Sequence, residues 1–354
     1  MAFQSSASDD YLSDIKLEQG SLLSDSVSCI DWSVSAPDHF ACTLWDGTLK
    51  IYQVHKPHMQ IGLRSESCIK EKASIPVTTP YPLTYCTWSP DGNVIFLGTS
   101  KGEVKALDTN SGNVIDVAKH PVAINYIKFL PDFGNTLLTS AYEHNVHFWS
   151  MNSQNPVKSV TFSKKIYRAS FNGDVLATGM ADEKIGLVNI KALHKRREYD
   201  SSELGKYSQI QSINVSKNGK NFGLGTIDGR VNVSYIHTNP VMELSWVFFF
   251  LFKKTHITFK AHKTEEGNIM TLYPVNTFTF HPIEDSWFST SGADGTMHYW
   301  NHAQKNKIKS FNYNSNPVCC ASVSYGGNYV AYALGNDWHM GPEGEKWRPK
   351  IAVH

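Results

Sequence analysis

The chain repeats one pattern of apolar and polar positions: an alternating apolar segment that ends on an aromatic or β-branched residue, a polar turn, a run of small and apolar residues, an Asp-Gly or a substitute, and a second alternating segment. Alternation with a period of two marks a strand with distinct faces, and the turn residues between segments mark hairpins. Aligned on the first segment, the units centre on Trp32 (CIDWS), Trp88 (YCTWSPDG), Phe129 (YIKFLPD), Phe171 (RASFNGD), Val215 (SINVSKNG), Phe280 (TFTFHP) and Val323 (CASVSYGG), separated by 56, 41, 42, 44, 65 and 43 residues. Four of the six intervals match the roughly 40–45 residues of a four-stranded blade, and the two long ones carry inserts.

The second half of each unit supports the same count. Asp46-Gly47, Lys101-Gly102, Glu143-His144, Asp182-Glu183, Asp228-Gly229 and Asp294-Gly295 stand where a tight hairpin needs positive φ, and TLKIY, EVKAL, NVHFW, KIGLV, RVNVS and TMHYW follow them. Each of these strands is expected to bury one face against the next blade. A β-sandwich also has short strands and frequent turns, but not a period near 42. The expected fold is therefore all-β, a seven-bladed WD-repeat β-propeller closing as a single ring.

Residues 1–12 read as a flexible N-terminal tail and 13–354 as the propeller. An open blade edge invites aggregation, so the segment Ser13 to Gln19 (SDIKLEQ) is expected to complete the last blade, where PKIAVH supplies the strand before it. Residues 56–80, polar and proline-containing, read as an insert on the surface. A second insert, 241–254, contains WVFFFLF. An apolar run of that kind is either a genuine hydrophobic loop, hence a partner site or a liability, or a retained intron in the gene model.

Composition narrows the function classes. The 354 residues are 41% hydrophobic and 18% charged, enough for a substantial core, and 33 Lys and Arg against 32 Asp and Glu give no global field toward nucleic acid or acidic lipid. Any basic surface must be local. The six cysteines form no CxxC pair and the N-terminus lacks a secretory pattern, which points to a reducing compartment. WVFFFLF is far short of the roughly 20 residues of a membrane span.

No catalytic motif stands out. HExxH, GxSxG, GxxxxGK[ST] and GxGxxG after a strand are all missing, and the closest histidine pairs, His55/His58 and His298/His302, read as solvated side chains without a shared metal-facing geometry. The chain is expected to be no enzyme, with no cofactor, metal or small-molecule substrate. Trp32, Trp88 and Trp149 suit buried blade positions, whereas Trp45 and Trp300 stand beside turns at a rim, where a large amphipathic ring either anchors a partner or is simply half-buried. Lys305, Lys307 and Lys309 alternate along one strand and should face the same way, next to Trp300. Such a face suits an acidic peptide or a phosphate backbone, or is a solvated surface.

Four stretches carry a resemblance: GTIDGRVNVSYI (225–236), ITFKAHK with YPVNTFTFHP (257–282), SGADGTMHYWN (291–301) and YVAYALGNDW (329–338). Together they resemble the nuclear-pore mRNA export WD-repeat family, sibling of the kinetochore checkpoint WD-repeat proteins, and NDW followed by HMG looks more like the export branch. The resemblance implies a non-enzymatic adaptor that clamps a GLEBS-type segment of a nucleoporin, or, on the checkpoint reading, of a checkpoint kinase. It implies peptide contacts at Trp45, Arg230, Phe259, Lys260, His262, Trp300, Lys305 and Lys307, and residence in the nucleus, at the nuclear envelope and pore, and in the cytoplasm. Weak direct binding of single-stranded RNA through the lysine strand is a further alternative. Two departures stand out: Trp149-Ser150 and Trp300-Asn301 replace the Trp-Asp dipeptide, and Asn301 and His302 replace an acidic and basic pair.

Overall fold

In the computed structural model every one of the seven aligned segments is the inner strand of a four-stranded antiparallel sheet. These strands are Val27–Trp32, Leu83–Trp88, Ile124–Leu130, Ile166–Asn172, Ile210–Val215, Val275–Phe280 and Val318–Val323, the first strands of blades 1 to 7. Each touches the next in chain order, and the seventh returns to the first, so the sheets close a ring. The structure describes residues 14–18, 21–55, 67–77, 80–151, 153, 155–194, 196–200, 208–236 and 256–354. The apolar stretch 241–254 and the tail 1–12 lie outside them.

Burial follows from the stacking of blades. Of the second strands, Val175–Met180 and Asn221–Thr226 are buried at every position and the others at every position after the first, and the third strands are largely buried too, because each blade is covered on both faces. The single buried face expected of the third strands is thus exceeded. The outer strands of the blades are more exposed, as in Lys158–Thr161. The core accordingly falls into clusters between neighbouring blades, with Trp32, Phe40, Tyr52 and Ile69 in one and Phe222, Leu224 and Val215 in another.

The hairpin between second and third strands adopts positive φ at Gly47, Gly102, Asp182, Glu183, Gly229 and Gly295, as the turn chemistry requires. Glu143-His144 makes its turn without it. Gly102 and Gly229 are needed for a second reason: a Cβ there would stand 2.3 Å from the carbonyl oxygens of His120 and His262, which close over the hairpins.

Within the stretch 56–80, Cys68–Pro76 forms the outer strand of blade 1, paired along its length with Thr48–His55. Its charged side chains, KEK among them, are those of an exposed edge, and they hide a strand in what reads as a loop.

Closure is made by the N-terminus. Ile15 and Lys16 pair with Val353 and Ala352 to give blade 7 its outer strand, and Leu17 bridges onward to Ile69 in blade 1. Asp14 fastens this strap, accepting from Tyr332 Oη at 2.7 Å and bonding His354 Nδ1 at 2.8 Å. Asp14→Ala should therefore lower stability by about 1–3 kcal/mol by leaving the Tyr332 hydroxyl buried without its acceptor. Urea unfolding measures this, and an unchanged midpoint would show that closure does not depend on the strap's carboxylate.

Candidate functional site

Strand order decides which residues can meet. Within a blade the chain reverses at every turn, so the hairpins between second and third strands and the connections between blades share one face of the ring. The turns between third and outer strands lie on the other, a strand length of roughly 17–20 Å away. Of the eight candidate residues, Trp45, Arg230, Lys260 and His262 belong to the first face, which we term the hairpin face. Trp300, Lys305 and Lys307 belong to the opposite end of blade 6.

On the hairpin face Trp45 precedes the Asp46-Gly47 turn and is 43% exposed. The turn beneath it is firmly built: Ser24 Oγ donates to Asp46, whose carboxylate also accepts from Thr48 N at 2.9 Å. Burial works to raise the Asp46 carboxyl, but these bonds and Lys50 outweigh it and hold it below its ordinary value.

Arg230 opens the third strand of blade 5 and pairs across the ladder with Lys260 at the end of the outer strand. Its Nε lies 2.9 Å from Asp228 Oδ2 in the same hairpin, and about a third of the side chain is exposed. Asp228 is pushed up by burial and pulled down further by Thr226, Ser208 and Arg230, so it stays ionised at neutral pH. Arg230 is therefore oriented in advance of any partner.

His262 is fully buried under the same hairpin. Its Nδ1 bonds Asp294 at 2.9 Å, its Nε2 bonds Thr290 Oγ1 at 3.0 Å, and that hydroxyl accepts from Trp300 Nε1 at 2.9 Å. Both ring nitrogens are engaged inside blade 6, so this histidine shapes the face from below. Blade 3 repeats the network, with His120 bonded to Glu143 at 2.6 Å and to Thr139 at 2.7 Å, and Trp149 donating to Thr139 at 2.7 Å. The two tryptophans thus keep their structural partners although neither is followed by aspartate.

At the opposite end a cavity of about 160 Å³ separates blades 5 and 6, lined by Val233, Ile257, Phe259, Phe288, Trp300 and Lys305 among others. Phe259 and Trp300 pack with ring centroids 4.6 Å apart, and Lys307 Nζ stands 5.8 Å over the Trp300 ring. Asn301 and His302 also line it, both largely buried, with His302 Nε2 bonded to Asp285 O at 2.9 Å.

The three lysines do not share a face. Lys305 lies in the turn at φ 56°, before the strand begins at Asn306. A bulge then sets Trp300 opposite Lys307 and Tyr299 opposite Lys309, which sends the latter two to opposite sides of the blade. Lys309 accordingly lies over Phe311, 4.4 Å from its ring centroid.

One exposed residue on the hairpin face was not singled out by its sequence position. Trp338, 60% exposed, follows the second strand of blade 7, between the blades that carry Arg230 and Trp45. Its signal was the NDW run itself: Asp337 Oδ2 accepts from Asn276 Nδ2 at 2.7 Å and holds the loop to blade 6. No helix among the described residues is long and apolar enough to cross a membrane.

No protein-family model matches the chain. It is similar to the Poly(A)+ RNA export protein of Schizosaccharomyces pombe, 24% identical over 339 residues that cover 95% of this chain and 88% of that one. It is also similar to the mRNA export factor rae-1 of Caenorhabditis elegans, 26% identical over 371 aligned residues covering 100% and 90% of the two chains. The WD40 repeat protein poxJ of Penicillium oxalicum is 25% identical over 327 residues, 90% and 86% of the two chains.

Proposed function

Because this chain is a relative, along nearly its whole length, of the WD-repeat mRNA export proteins, we propose that it is a non-catalytic adaptor in mRNA export. It binds an extended GLEBS-type segment of a nucleoporin on its hairpin face. The observation that carries the reading is the arrangement of Arg230, Trp338 and Trp45 on blades 5, 7 and 1 of one face. An extended chain needs such spacing: a fixed cation for a carboxylate, then large rings that shed water when covered. The cavity between blades 5 and 6, lined by Phe259, Trp300 and Lys305, with Lys307 over the Trp300 ring, offers a second, separate contact for a partner that reaches the opposite end. The adaptor would work at the nuclear pore, moving between nucleus and cytoplasm.

The direct test is equilibrium binding of the full chain to a nucleoporin GLEBS peptide and a checkpoint-kinase GLEBS peptide side by side. The export reading expects the nucleoporin peptide to bind at least about tenfold more tightly, a difference of about 1.4 kcal/mol. Preference for the kinase peptide would transfer the chain to the checkpoint, and binding of neither would remove the adaptor reading.

A further inference from the structure

Between blades 5 and 6 the chain makes a detour that belongs to no blade. Lys263–Glu266 and Ile269–Leu272 pair as a two-stranded antiparallel ribbon on the hairpin face, joined by a tight turn in which Gly267 takes φ 60°. The ribbon stands between Arg230 and Trp338. Lys260, which pairs with Arg230, reaches the Met270 sulfur with Nζ at 3.3 Å, and Tyr273 at the ribbon's base lies beside His339, the neighbour of Trp338, with ring centroids 6.4 Å apart.

Two strands alone are only marginally stable in water, and a third strand or a packed face is what such a pair lacks. Nearly the whole ribbon is exposed, Ile269 at 71% and Met270 at 44% among its apolar residues. Its two edges differ. The strand KTEE carries charges that discourage pairing, with Lys263 bonded to Glu265 at 2.6 Å, whereas IMTL carries none. The register fixes what the second edge offers. Tyr273 N bonds His262 O at 3.2 Å, and bonded and unbonded pairs alternate from there, so Lys263 with Leu272 and Glu265 with Met270 are unbonded pairs. The N–H and C=O groups of Met270 and Leu272 therefore point away from the ribbon, and no strand among the described residues pairs with them.

We propose that the edge Ile269–Leu272 takes the partner's extended segment as a third strand, so that main-chain hydrogen bonds hold the stretch lying between Arg230 and Trp338. The inference rests on the adaptor reading and says how the segment is held. Alternate side chains of an added strand fall on opposite sides of the ribbon. On the side of Met270 and Leu272 an acidic residue meets Lys260, whose acceptor in the free chain is a thioether, a weak one. On the side of Ile269 and Thr271 an apolar residue covers Ile269. The occupant is thus an extended segment in which acidic and apolar side chains alternate.

The test compares Met270→Pro with Met270→Ala in the full chain, using the nucleoporin GLEBS peptide and calorimetry. Proline deletes the outward N–H and leaves the ribbon's own bonds, while alanine removes the side chain and keeps the N–H. Met270→Pro is expected to bind the peptide roughly 5- to 10-fold more weakly than Met270→Ala. Amide-resolved hydrogen exchange of the wild-type chain reads the same contact without a variant: the peptide should slow exchange at Met270 and Leu272 more than at Thr271, whose N–H is already bonded within the ribbon. Equal binding by the two variants, or unchanged exchange at Met270 and Leu272 in the bound chain, would overturn strand addition, and the adaptor reading would still stand if Arg230→Ala weakened the peptide. A wild-type chain that binds no peptide would remove both. Self-association of the free chain that Met270→Pro abolishes would give the edge to a second copy and overturn the peptide as its occupant.

Discussion

Arg230→Ala and Trp45→Ala are expected each to weaken a GLEBS-type nucleoporin peptide by roughly 10- to 150-fold, the equivalent of about 1.5–3 kcal/mol for a charge-assisted contact or a buried aromatic anchor. The guanidinium already rests against Asp228 at 2.9 Å, so a partner carboxylate meets a side chain whose geometry is set before binding. Trp45 gives up a ring that water now reaches over 43% of the residue. Neither residue belongs to the clusters between blades, so the thermal midpoint should stay within a few degrees. Isothermal titration with the purified variants checks both halves of the expectation. Normal binding by both would remove the proposed contact surface.

The largest effect on stability is expected from His262→Ala. The substitution removes a fully buried ring and leaves Asp294, its side chain 5% exposed, without the ring N–H bonded to it. Breaking a buried pair of this kind typically costs about 3–5 kcal/mol. Thr296 continues to donate to the carboxylate through its hydroxyl and its backbone N–H, which places the expectation at the lower end, about 3 kcal/mol. Urea unfolding reads the loss directly, and a change under about 1 kcal/mol would show that Thr296 alone suffices.

The same network predicts an acid limb. Burial pushes the Asp294 carboxyl up, but His262 and Thr296 pull it further down, so it folds with a pKa below its ordinary value. A carboxyl lowered on folding contributes stability above its unfolded pKa, near 4, and loses it as pH falls through the folded value. Wild type should therefore lose stability below about pH 4 more steeply than Asp294→Asn, measured by thermal midpoints across that range.

The ring was legible because strands leave a local trace. Trp32, Trp88, Phe129, Phe171, Val215, Phe280 and Val323 each fall within a first strand, since period-two alternation and turn chemistry act over a few neighbours. The outer strand Cys68–Pro76 was not legible, because an edge strand with polar residues on show looks like a loop. The candidate surface was legible only in part. Trp45 and Trp300 both stand beside turns, yet one turn joins second to third strand and the other third to outer strand, which sends them to opposite ends of the ring. The bulge after Lys307 had no sequence trace at all, and it separates Lys307 from Lys309. His120 and His262 come from connections that precede their blades, about 20–30 residues from Glu143 and Asp294, so no spacing motif announces either cluster.

Hydrogen exchange of the full chain with and without the nucleoporin segment tests the central claim most directly, because it reports which face is covered. Protection should appear at the hairpins around Trp45 to Thr48 and Asp228 to Arg230 and in the loop at Trp338, all on one face of the ring. Protection confined to the turn from Asn301 to Asn306 at the opposite end, or no protection at any blade, would contradict binding on the hairpin face.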